Sequence, residues 1–529
     1  MPRTELWLLS ERERANAATR LPAWRPDNLA EPLVHGAGYF DRLVEQVRAL
    51  APGDQLFFAD WRGDPDERLR PEGPTVAELF SDAAARGVHV RGLVWRSHWD
   101  GLSFSKAQNR SLDREVEAGG GRVVLDQRVR AFGSHHQKFV VLRHQDDPAR
   151  DVAWLGGIDL CHSRRDDASH RGDPQPVGMS PAFGPRPAWH DVQLEVRGPA
   201  VADVDTVFRE RWSDPTSPVA YNPIAWLRGL LRGARLHPEP LPDQLPAPPA
   251  AGPHQVQLLR TYPQTRSRYP FAPRGERSIA RGHTKALARA ARLVYLEDQY
   301  LWSSDAAAPF AAALRREPDL HLVVVLPRHP QQDGVVSRAE RVGRCAALEL
   351  LRQAGGRRVH VFDVESPEGL PVYVHAKVEV VDDVWAAVGS DNVDRRSWTH
   401  DSELCGAVLD PTPDPREPRD PAGRGDSARV FARDLRLRLA REHLDRAPDG
   451  TEDDELLEPD SFVAALEASA AALEAWHAGG RRGPRPPGRL RPHVQAGLSR
   501  WERLWAVPVY RVLHDPDGRP RWMRRRGLF

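Results

Sequence analysis

The sequence predicts an α/β fold made of two similar halves. Short apolar runs typical of buried strands alternate with amphipathic helical runs in the first 215 or so residues. A proline-dense stretch follows, and after it the same order of elements returns over a second stretch of similar length. A chain of 529 residues exceeds what one ordinary core accommodates, so we expect two or more domains. We interpret the repeated order of elements as an internal duplication.

In the first half, helix and strand patterns alternate from residue 39 onward. The run "YFDRLVEQVRAL" has helical spacing, and "DQLFFADW" and "HVRGLVW" are short apolar runs suited to buried strands. The runs "RVVL", "KFVVL" and "VAWLGGIDL" continue the strand pattern, and "HDVQLEVRG" alternates. The half ends in "PAVADVDTVFRERW", a helical run with proline near its start.

The second half repeats this order of strands and helices. "HQVQLLRTYP", "VYLEDQYL", "LHLVVVLP", "RVHVF", "AKVEVV" and "VWAAVGS" are predicted strands, and "SIARGHTKALARAARL" and "DSARVFARDLRLRLAREHL" are predicted helices. We therefore divide the chain into a first lobe at 1–215, a proline-rich linker at 216–254, a second lobe at 255–447 and a C-terminal extension at 448–529. For the tryptophan-containing tail we prefer a segment that covers one lobe, with an interfacial lipid anchor as the alternative.

Composition disfavours several classes of partner and location. A formal net charge of +1 gives no global electrostatic attraction to nucleic acid. No window approaches the roughly 18 apolar residues of a spanning helix, and the N-terminus does not have the pattern of a signal peptide. Three scattered cysteines without a C-x-x-C pattern suit a reducing compartment. We expect a cytoplasmic monomer, peripheral to the membrane, with no integral membrane segment.

Two His-x-Lys triplets each run into a predicted strand. They are His136-Gln137-Lys138 and His375-Ala376-Lys377, in a chain that has only four lysines among its 75 lysine and arginine residues. Residues i and i+2 of a strand share a face, so each imidazole and its ammonium are expected to point the same way.

Each triplet is followed by a turn of small residues bearing polar groups. The first turn contains Gly157 and Asp159, and the second contains Gly389, Ser390 and Asn392. Glycine lets the backbone approach a ligand closely, and the hydroxyl and amide can donate to phosphate oxygens. Two such halves facing each other would make one site with two imidazoles and two ammonium groups.

That combination suits the chemistry of a phosphodiester. Two lysines stabilise transition-state charge on phosphate oxygens without a metal. Two histidines allow a division of labour, in which one attacks phosphorus and the other protonates the leaving oxygen and then activates the acceptor.

These segments resemble the paired HxK(x)4D motifs of the phospholipase D superfamily. The similarity extends, in order, through "FFADWRGDP", "LGGIDLCHSRRDD", "WHDVQLEVRGPAV", "YLEDQYL" and "GSDNVDRRSWTHDSEL", from about residue 35 to 445. The resemblance implies two α/β lobes with pseudo-two-fold symmetry, mixed sheets flanked by helices, and an active site between the lobes. It also implies chemistry that uses no metal or other cofactor.

The resemblance also implies roles for individual residues. His136 would be the nucleophile, and His375 would be the general acid and then the general base. The phosphate oxygens would be held by Lys138, Lys377, Asn392 and Ser390, with Gly389, Asp159 and Gly157 in the two turns. Supporting carboxylates would be Asp166 in "RRDD" and Glu403 in "DSEL", and Asp382 would complete the second motif.

Arg143 is a departure from this pattern, because the first motif has no Asp at that position. At i+7 from His136 its side chain is expected on the opposite face of the strand, where it would serve the scaffold more than the reacting atoms.

The preferred function is a phospholipase D-like phosphodiesterase, acting on a phospholipid at a membrane surface through a phospho-histidine. It would release the head group or transfer the phosphatidyl group to an alcohol. The alternatives are a cardiolipin-synthase-type phosphatidyltransferase, a nuclease-type phosphodiesterase, which the near-zero net charge disfavours, and a non-catalytic lipid-binding scaffold, which two intact triplets disfavour.

Overall fold

A computed structural model describes residues 4–96, 106–219 and 238–529. Part of the predicted linker, residues 220–237, lies outside the described residues. The described chain contains strands β1 to β18: Arg25–Val34, Gln55–Asp60, His89–Trp95, Arg122–Asp126, Phe139–Arg143, Val152–Gly156, Ala188–His190, Val192–Arg197, His254–Tyr262, Glu276–Arg277, Leu293–Asp298, His321–Val325, Val359–Val364, Val372–Val374, Lys377–Val381, Trp385–Gly389, Glu403–Leu409 and Leu490–Pro492.

The described helices are spread along the whole chain. They span Thr4–Trp7, Glu11–Arg14, Gly36–Arg48, Val76–Ala85, Lys106–Ala118, Val201–Trp212, Ser278–Leu287, Ser304–Arg316, Val335–Gly355, Arg395–Thr399, Val430–His443, Asp454–Leu457, Pro459–Ala478, Arg500–Val509 and Arg521–Arg525. Local sequence accounts for the start of some of these helices. Helix Val76–Ala85, for example, begins at a capping box in which Thr75 and Glu78 each bond the other's backbone N–H.

Sixteen strands form one mixed sheet, in the order β18-β13-β12-β11-β15-β16-β17-β9-β1-β8-β6-β5-β2-β3-β4, with β10 beside β9. Counted outward from the centre, the second half contributes β9-β17-β16-β15-β11-β12-β13 and the first half contributes β1-β8-β6-β5-β2-β3-β4. When the strands of each half are ranked by their position along the chain, the two series have the same spatial order. In both series the last three strands are parallel, and the pairs before them are antiparallel. The predicted α/β fold with a mixed sheet flanked by helices is confirmed.

Helices cover both faces of this sheet, so most strands are buried on both sides. One core cluster extends along one face of both halves and packs against helices Val201–Trp212 and Val430–His443. On the opposite face, one cluster lies in the first half and another in the second half. Burial on both faces explains why the predicted strands read as nearly continuous apolar runs.

Two pairings extend the sheet beyond each half. Strands β1 and β9 pair antiparallel through Arg25 with Val256 and Asn28 with His254, which joins the two halves. Strand β18, from the C-terminal extension, pairs with β13 at the outer edge of the second half. This part of the extension is therefore integrated into the sheet, although the sequence pattern suggested an appendage.

Candidate active site

The two His-x-Lys triplets lie at corresponding places in the two halves. His136 and Lys138 immediately precede β5, and His375 and Lys377 lie at the start of β15. Strands β5 and β15 occupy equivalent positions in the sheet order. Both lysines are buried, and the imidazole of His136 is more exposed than that of His375, at 16% against 6% of its side-chain surface.

His136 is held by a carboxylate from the other half of the chain. Its Nδ1 lies 2.9 and 3.0 Å from the two carboxylate oxygens of Glu403, at the start of β17. Ser390 Oγ donates to the same carboxylate at 2.5 Å. Burial raises the pKa of Glu403 well above its ordinary value, and Asp401 adds to this shift. An Nδ1–H donated to Glu403 leaves Nε2 of His136 as the nitrogen available to a substrate.

His375 has the reciprocal arrangement, with Asp191 of the first half as its partner. The distance from Nδ1 of His375 to Oδ2 of Asp191 is 2.7 Å. Burial raises the pKa of Asp191. Each imidazole is therefore oriented by a carboxylate from the opposite half, so the complete arrangement requires both halves.

Strand register shows that Asp191 and Glu403 are equivalent positions. Gln193 pairs with Gly156, and Cys405 pairs with Gly389. Asp191 and Glu403 each lie two residues before these paired residues. Asp191 was not among the predicted site residues, because its place relative to the turn glycine depends on a strand register that the local pattern does not contain.

Asp166, which the sequence analysis expected beside a site histidine, lies elsewhere. Its carboxylate accepts the backbone N–H groups of Trp189 at 2.7 Å and Gly172 at 3.1 Å. The near side-chain partner of Asp166 is His170, 3.6 Å away. Asp166 therefore supports the backbone beside β7, and the carboxylate that contacts His375 is Asp191.

A backbone hydrogen bond joins the first residue of each triplet to the residue just before the partner carboxylate. His136 N–H donates to the carbonyl of Ser402 at 2.9 Å, and His375 N–H donates to the carbonyl of His190 at 2.8 Å. In the second case these bonds extend a two-stranded parallel sheet of β14 and β7. These contacts place each imidazole beside the residue that follows, Glu403 or Asp191.

The glycine turns make room for this approach. A Cβ at Gly157 would lie 2.0 Å from Oδ1 of Asp191, and a Cβ at Gly389 would lie 2.4 Å from Oδ1 of Asp391. A separation below 3.0 Å forces a shift of the neighbouring group. Gly157 is therefore required so that the carboxylate that orients His375 can reach its position.

Lys377 lies against its own histidine. Its Nζ is 3.0 Å from Nδ1 of His375 and donates to Oε1 of Gln299 at 3.2 Å and to the carbonyl of His375. Burial, together with Lys138, lowers the pKa of Lys377 to about 8, against the raising effect of Asp191. Lys377 is thus a cation at neutral pH with an alkaline limit close to the physiological range.

Lys138 and Asp159 form part of a buried charge cluster in the first half. Lys138 Nζ lies 3.5 Å from Oδ1 of Asp159 and donates to the carbonyl of His136 at 3.0 Å, while Arg164 donates to Oδ2 of Asp159 at 3.0 Å. Burial raises the pKa of Asp159, but Lys138 and Arg164 outweigh this effect and lower it overall. Asp159 is therefore a counter-ion for two cations.

Burial and the neighbouring Asp159 raise the pKa of Asp60 well above its ordinary value. Asp60 is thus the protonated member of this carboxyl pair. Strand register makes Asn392 the second-half equivalent of Asp159, three residues after its turn glycine. Its side-chain Oδ1 is buried and has no hydrogen-bond partner among the described residues.

Both site imidazoles are biased toward the neutral form. Burial, followed by Lys138 and Lys377, lowers the pKa of His136 well below its ordinary value. Burial, followed by Lys377 and Arg164, does the same for His375. A bound phosphodiester would oppose these shifts because its negative charge favours the protonated imidazole.

Asp382, included in the predicted site, lies at the far end of β15 from Lys377. Its carboxylate accepts the backbone N–H groups of Ala291, Arg292 and Leu293 at 2.8, 2.9 and 2.9 Å. This carboxylate therefore holds the start of β11 against the end of β15. These three contacts involve none of the site histidines or lysines.

Arg143 lies at the same point of the first half and has different partners. It donates to Asp151 at 2.7 Å, to Asp205 of helix Val201–Trp212 at 2.9 Å, and to the carbonyl groups of Leu245 and Pro246. These contacts agree with the expectation that Arg143 serves the scaffold.

A third His-x-Lys triplet, His283-Thr284-Lys285, lies in helix Ser278–Leu287 and outside this arrangement. His283 lies 2.6 Å from Glu379 and 3.2 Å from Asp391, whereas Lys285 pairs with Glu13 at the surface. Its helical placement separates the imidazole from the ammonium, unlike the two triplets at strands.

Three groups of side chains in the described residues have the donor types and spacing of metal ligands: His35, His170, His190 and Glu442; His190, Glu297 and His443; and His283, Asp391 and Cys405. In the first two groups the carboxylates already lie within hydrogen-bond distance of imidazoles, as with His190 and Glu297 at 2.7 Å. The first two groups contain side chains from both halves, and the two site imidazoles belong to none of the three.

A cavity of about 600 Å³ lies beside the second triplet. Gln299 and Tyr373, which are 2.9 Å apart at their polar atoms, line it together with Arg344. Tyr373 also packs near His375, with ring centroids 6.3 Å apart. Gln299, which accepts a hydrogen bond from Lys377, therefore also lines this cavity.

The protein is similar to proteins of known family. A family model described as Phospholipase D matches residues 66–225. Phospholipase D alpha 2 of Oryza sativa subsp. japonica is 25% identical over 530 residues, covering 77% of this chain and 62% of that protein. Phospholipase D alpha 1 of Cynara cardunculus is 24% identical, covering 78% and 63%. The chain spans about three fifths of the length of these relatives.

Among solved structures, phosphatidylserine synthase from Haemophilus influenzae Rd KW20 is similar at 13% identity and a TM-score of 0.49, covering 72% of this chain and 82% of that chain. The family match contains His136, Lys138 and the glycine turn after β6, and the plant relatives align over more than three quarters of the chain. The chain is therefore similar to phospholipase D proteins over most of its length.

Proposed function

We propose that the protein is a phospholipase D-type phosphodiesterase that works through a phosphatidyl-histidine intermediate. The observation that carries this proposal is the reciprocal arrangement of two imidazoles, each with Nδ1 on a carboxylate of the other half and each beside a buried lysine. The proposed site lies between the halves formed by residues 1–215 and 255–447, joined by a linker at 216–254 and followed by an extension at 448–529.

In the first step, Nε2 of His136 attacks phosphorus and the bond from phosphorus to the head-group oxygen breaks. His375 gives its Nε2 proton to that oxygen, and the phosphatidyl group remains on His136. His136 suits the nucleophilic role because its imidazole is the more exposed of the two and is biased toward the neutral form.

In the second step, His375 takes a proton from water or an alcohol. The resulting oxygen attacks phosphorus, and the bond from phosphorus to His136 breaks. The products are phosphatidic acid from water or a new phosphatidyl ester from an alcohol, and both histidines return to their starting states.

The lysines would bind the non-bridging phosphate oxygens, which carry more negative charge in the transition state. Asn392, at the second turn, completes the proposed donor set, whereas the Ser390 hydroxyl donates to Glu403 and acts through that carboxylate. Asp159 serves differently from the sequence expectation, because as a counter-ion it limits the positive charge around Lys138.

A phospholipid substrate is supported by the surface near the cavity. Val494 lines the cavity and is exposed, as are Trp501 and Leu504 of the neighbouring helix Arg500–Val509, at 75% and 67%. Exposed large apolar side chains clustered beside a cavity are typical of a surface that contacts lipid or protein. No helix in the described part of the chain combines the length and the apolar character needed to cross a bilayer.

The experiment is incubation of the protein with a panel of phospholipids, with and without a primary alcohol, followed by mass spectrometry of the products. We expect phosphatidic acid without alcohol and an additional phosphatidyl-alcohol with it. A DNA substrate assayed in parallel tests the nuclease alternative. Turnover of DNA without turnover of any phospholipid would contradict the proposal.

A further inference from the structure

A second cavity, of about 510 Å³, lies outside the proposed active site. It lies between the start of helix Ser278–Leu287 and the C-terminal segment, from which Trp522 contributes a wall. Its lining includes four arginines, Arg268, Arg274, Arg277 and Arg281. Among the described residues that line it, none has a carboxylate.

Arg277 is a buried cation without a full set of partners. It is 5% exposed, and its Nε and Nη2 atoms have no hydrogen-bond partner among the described residues. Burial lowers the pKa of Arg277 to about 10, and the neighbouring Arg281 and Arg130 act in the same direction. Burial of a charged group without a counter-ion is strongly unfavourable, so this position favours an anion.

The nearby carboxylates are already paired with other cations. Glu276 lies 2.6 Å from Arg260. Asp517 pairs with Arg519 at 2.9 Å, and Glu13 pairs with Lys285 at 2.7 Å. Asp517 raises the pKa of Arg277 against the effect of burial, so its immediate neighbours compensate the positive charge of the cavity only in part.

We propose that this cavity binds a multiply charged phosphate group. Guanidinium groups pair with phosphate oxygens through parallel, charge-assisted hydrogen bonds. Arg277 supplies unpaired donors at the buried end, and the exposed Arg268 and Arg274 supply charge near the mouth. A phosphorylated lipid head group and a soluble polyphosphate would both supply such phosphate oxygens.

The test measures binding of inorganic pyrophosphate by calorimetry and binding of phosphatidylcholine vesicles with and without phosphatidic acid. The variant is Arg268→Gln/Arg274→Gln, in which both positions are exposed. Its matched control is Arg419→Gln/Arg482→Gln, which removes two exposed arginines outside the cavity. We expect the cavity pair to weaken binding by about tenfold or more, as loss of charge-assisted hydrogen bonds predicts, and the control pair to bind as wild type.

The two probes distinguish the source of the anion. Loss of vesicle binding in the cavity pair identifies a lipid head group, and loss of pyrophosphate binding alone identifies a soluble anion. Both pairs should hydrolyse a soluble short-chain phospholipid at the wild-type rate, because no residue of the proposed active site is changed. The pyrophosphate readout is thus independent of whether the protein has that activity.

Arg277→Gln gives a second readout through thermal stability. Removing this buried cation should raise Tm in phosphate-free buffer and abolish the increase in Tm that pyrophosphate produces in the wild type. The proposal is overturned if the wild type binds neither probe, or if both Arg277→Gln and the cavity pair bind them as the wild type does.

Discussion

At the scale of single residues, the two site histidines differ in exposure but share one electrostatic environment. Each has a buried carboxylate on Nδ1 and a buried ammonium nearby, and burial lowers the pKa of both imidazoles. A nucleophile has to be neutral, whereas a general acid has to be protonated. In the proposed mechanism, a bound phosphodiester therefore has to promote protonation of His375 without protonating His136.

His136→Asn and His375→Asn should each reduce phospholipid turnover by at least about 10²–10⁴-fold, the usual contribution of a positioned acid, base or nucleophile. A nitrophenyl phosphodiester separates their roles, because its leaving group departs without a proton. With this substrate, stopped-flow absorbance should show a burst of nitrophenolate in His375→Asn and none in His136→Asn. A burst in His136→Asn would refute the assignment of the nucleophile.

The carboxylate that orients His375 can be identified by comparing Asp191→Asn with Asp166→Asn. Loss of the Asp191 carboxylate removes the acceptor that fixes the imidazole tautomer, so kcat should fall by about 10²–10⁴-fold. Asp166 accepts backbone N–H groups near β7, and its replacement should lower Tm with a much smaller change in kcat. Equal losses of kcat in two folded variants would contradict this distinction.

Activity should decline on the alkaline side as Lys377 loses its proton. The pKa of Lys377 is lowered to about 8, so the cation is present below that pH and lost above it. The pH profile of kcat/KM reports groups of the free enzyme and should show this limit, which bound substrate should raise in the kcat profile. Lys377→Arg retains its charge and should move the limit upward; an unchanged limit would assign it to another group.

At the scale of secondary-structure elements, the ends of β5 and β15 away from the site are stabilised by different chemistry. In the second half, Asp382 accepts three backbone N–H groups from the start of β11. In the first half, Arg143 pairs instead with Asp151 and with Asp205 of helix Val201–Trp212. The paired sequence motif therefore diverged at a position that supports the sheet, at the opposite end of the strand from the triplet.

Arg143→Ala should destabilise the fold by about 3–5 kcal/mol, the usual cost of removing one partner of a buried ion pair. Asp151 would lose its close cation, and Asp205 would retain only Arg209. Urea unfolding measures this loss. Well below the unfolding transition kcat should be unchanged, and a large loss of kcat at unchanged stability would refute the scaffold role.

At the scale of the whole molecule, the proposed site exists only where the two halves meet. Strands β1 and β9 pair across the boundary, and each site imidazole receives a carboxylate from the other half. A single half would therefore have an imidazole and a lysine without the carboxylate that orients the ring. This arrangement explains why an internal duplication would be retained as one chain.

Expression of the chain as two fragments, 1–249 and 250–529, tests this dependence, since the cut falls between exposed residues. Each fragment alone should be inactive toward phospholipid, and co-expression should restore activity. A co-expressed pair carrying His136→Asn serves as the control for assembly without chemistry. Activity of either fragment by itself would show that one half suffices.

Much of the local structure could be predicted because it depends on local pattern. The strand that follows Lys138 and the strand that begins at Lys377 are apolar runs rich in valine. Each triplet and each glycine turn is a short contiguous segment of the sequence. Selection of Asp191 over Asp166 could not be predicted in the same way. A carboxylate reaches an imidazole through strand register and β-pairing, and residues far apart in sequence set both.

The sequence by itself determined the alternation of helices and strands, the repeated order of elements and the identity of the four groups in the two triplets. The tertiary structure alone decided which carboxylate meets which histidine, how burial shifts the pKa of Lys377, and that β18 joins the sheet. The physical reason is that side-chain type and period are local properties. Burial, register and electrostatic pairing arise only when distant segments pack together.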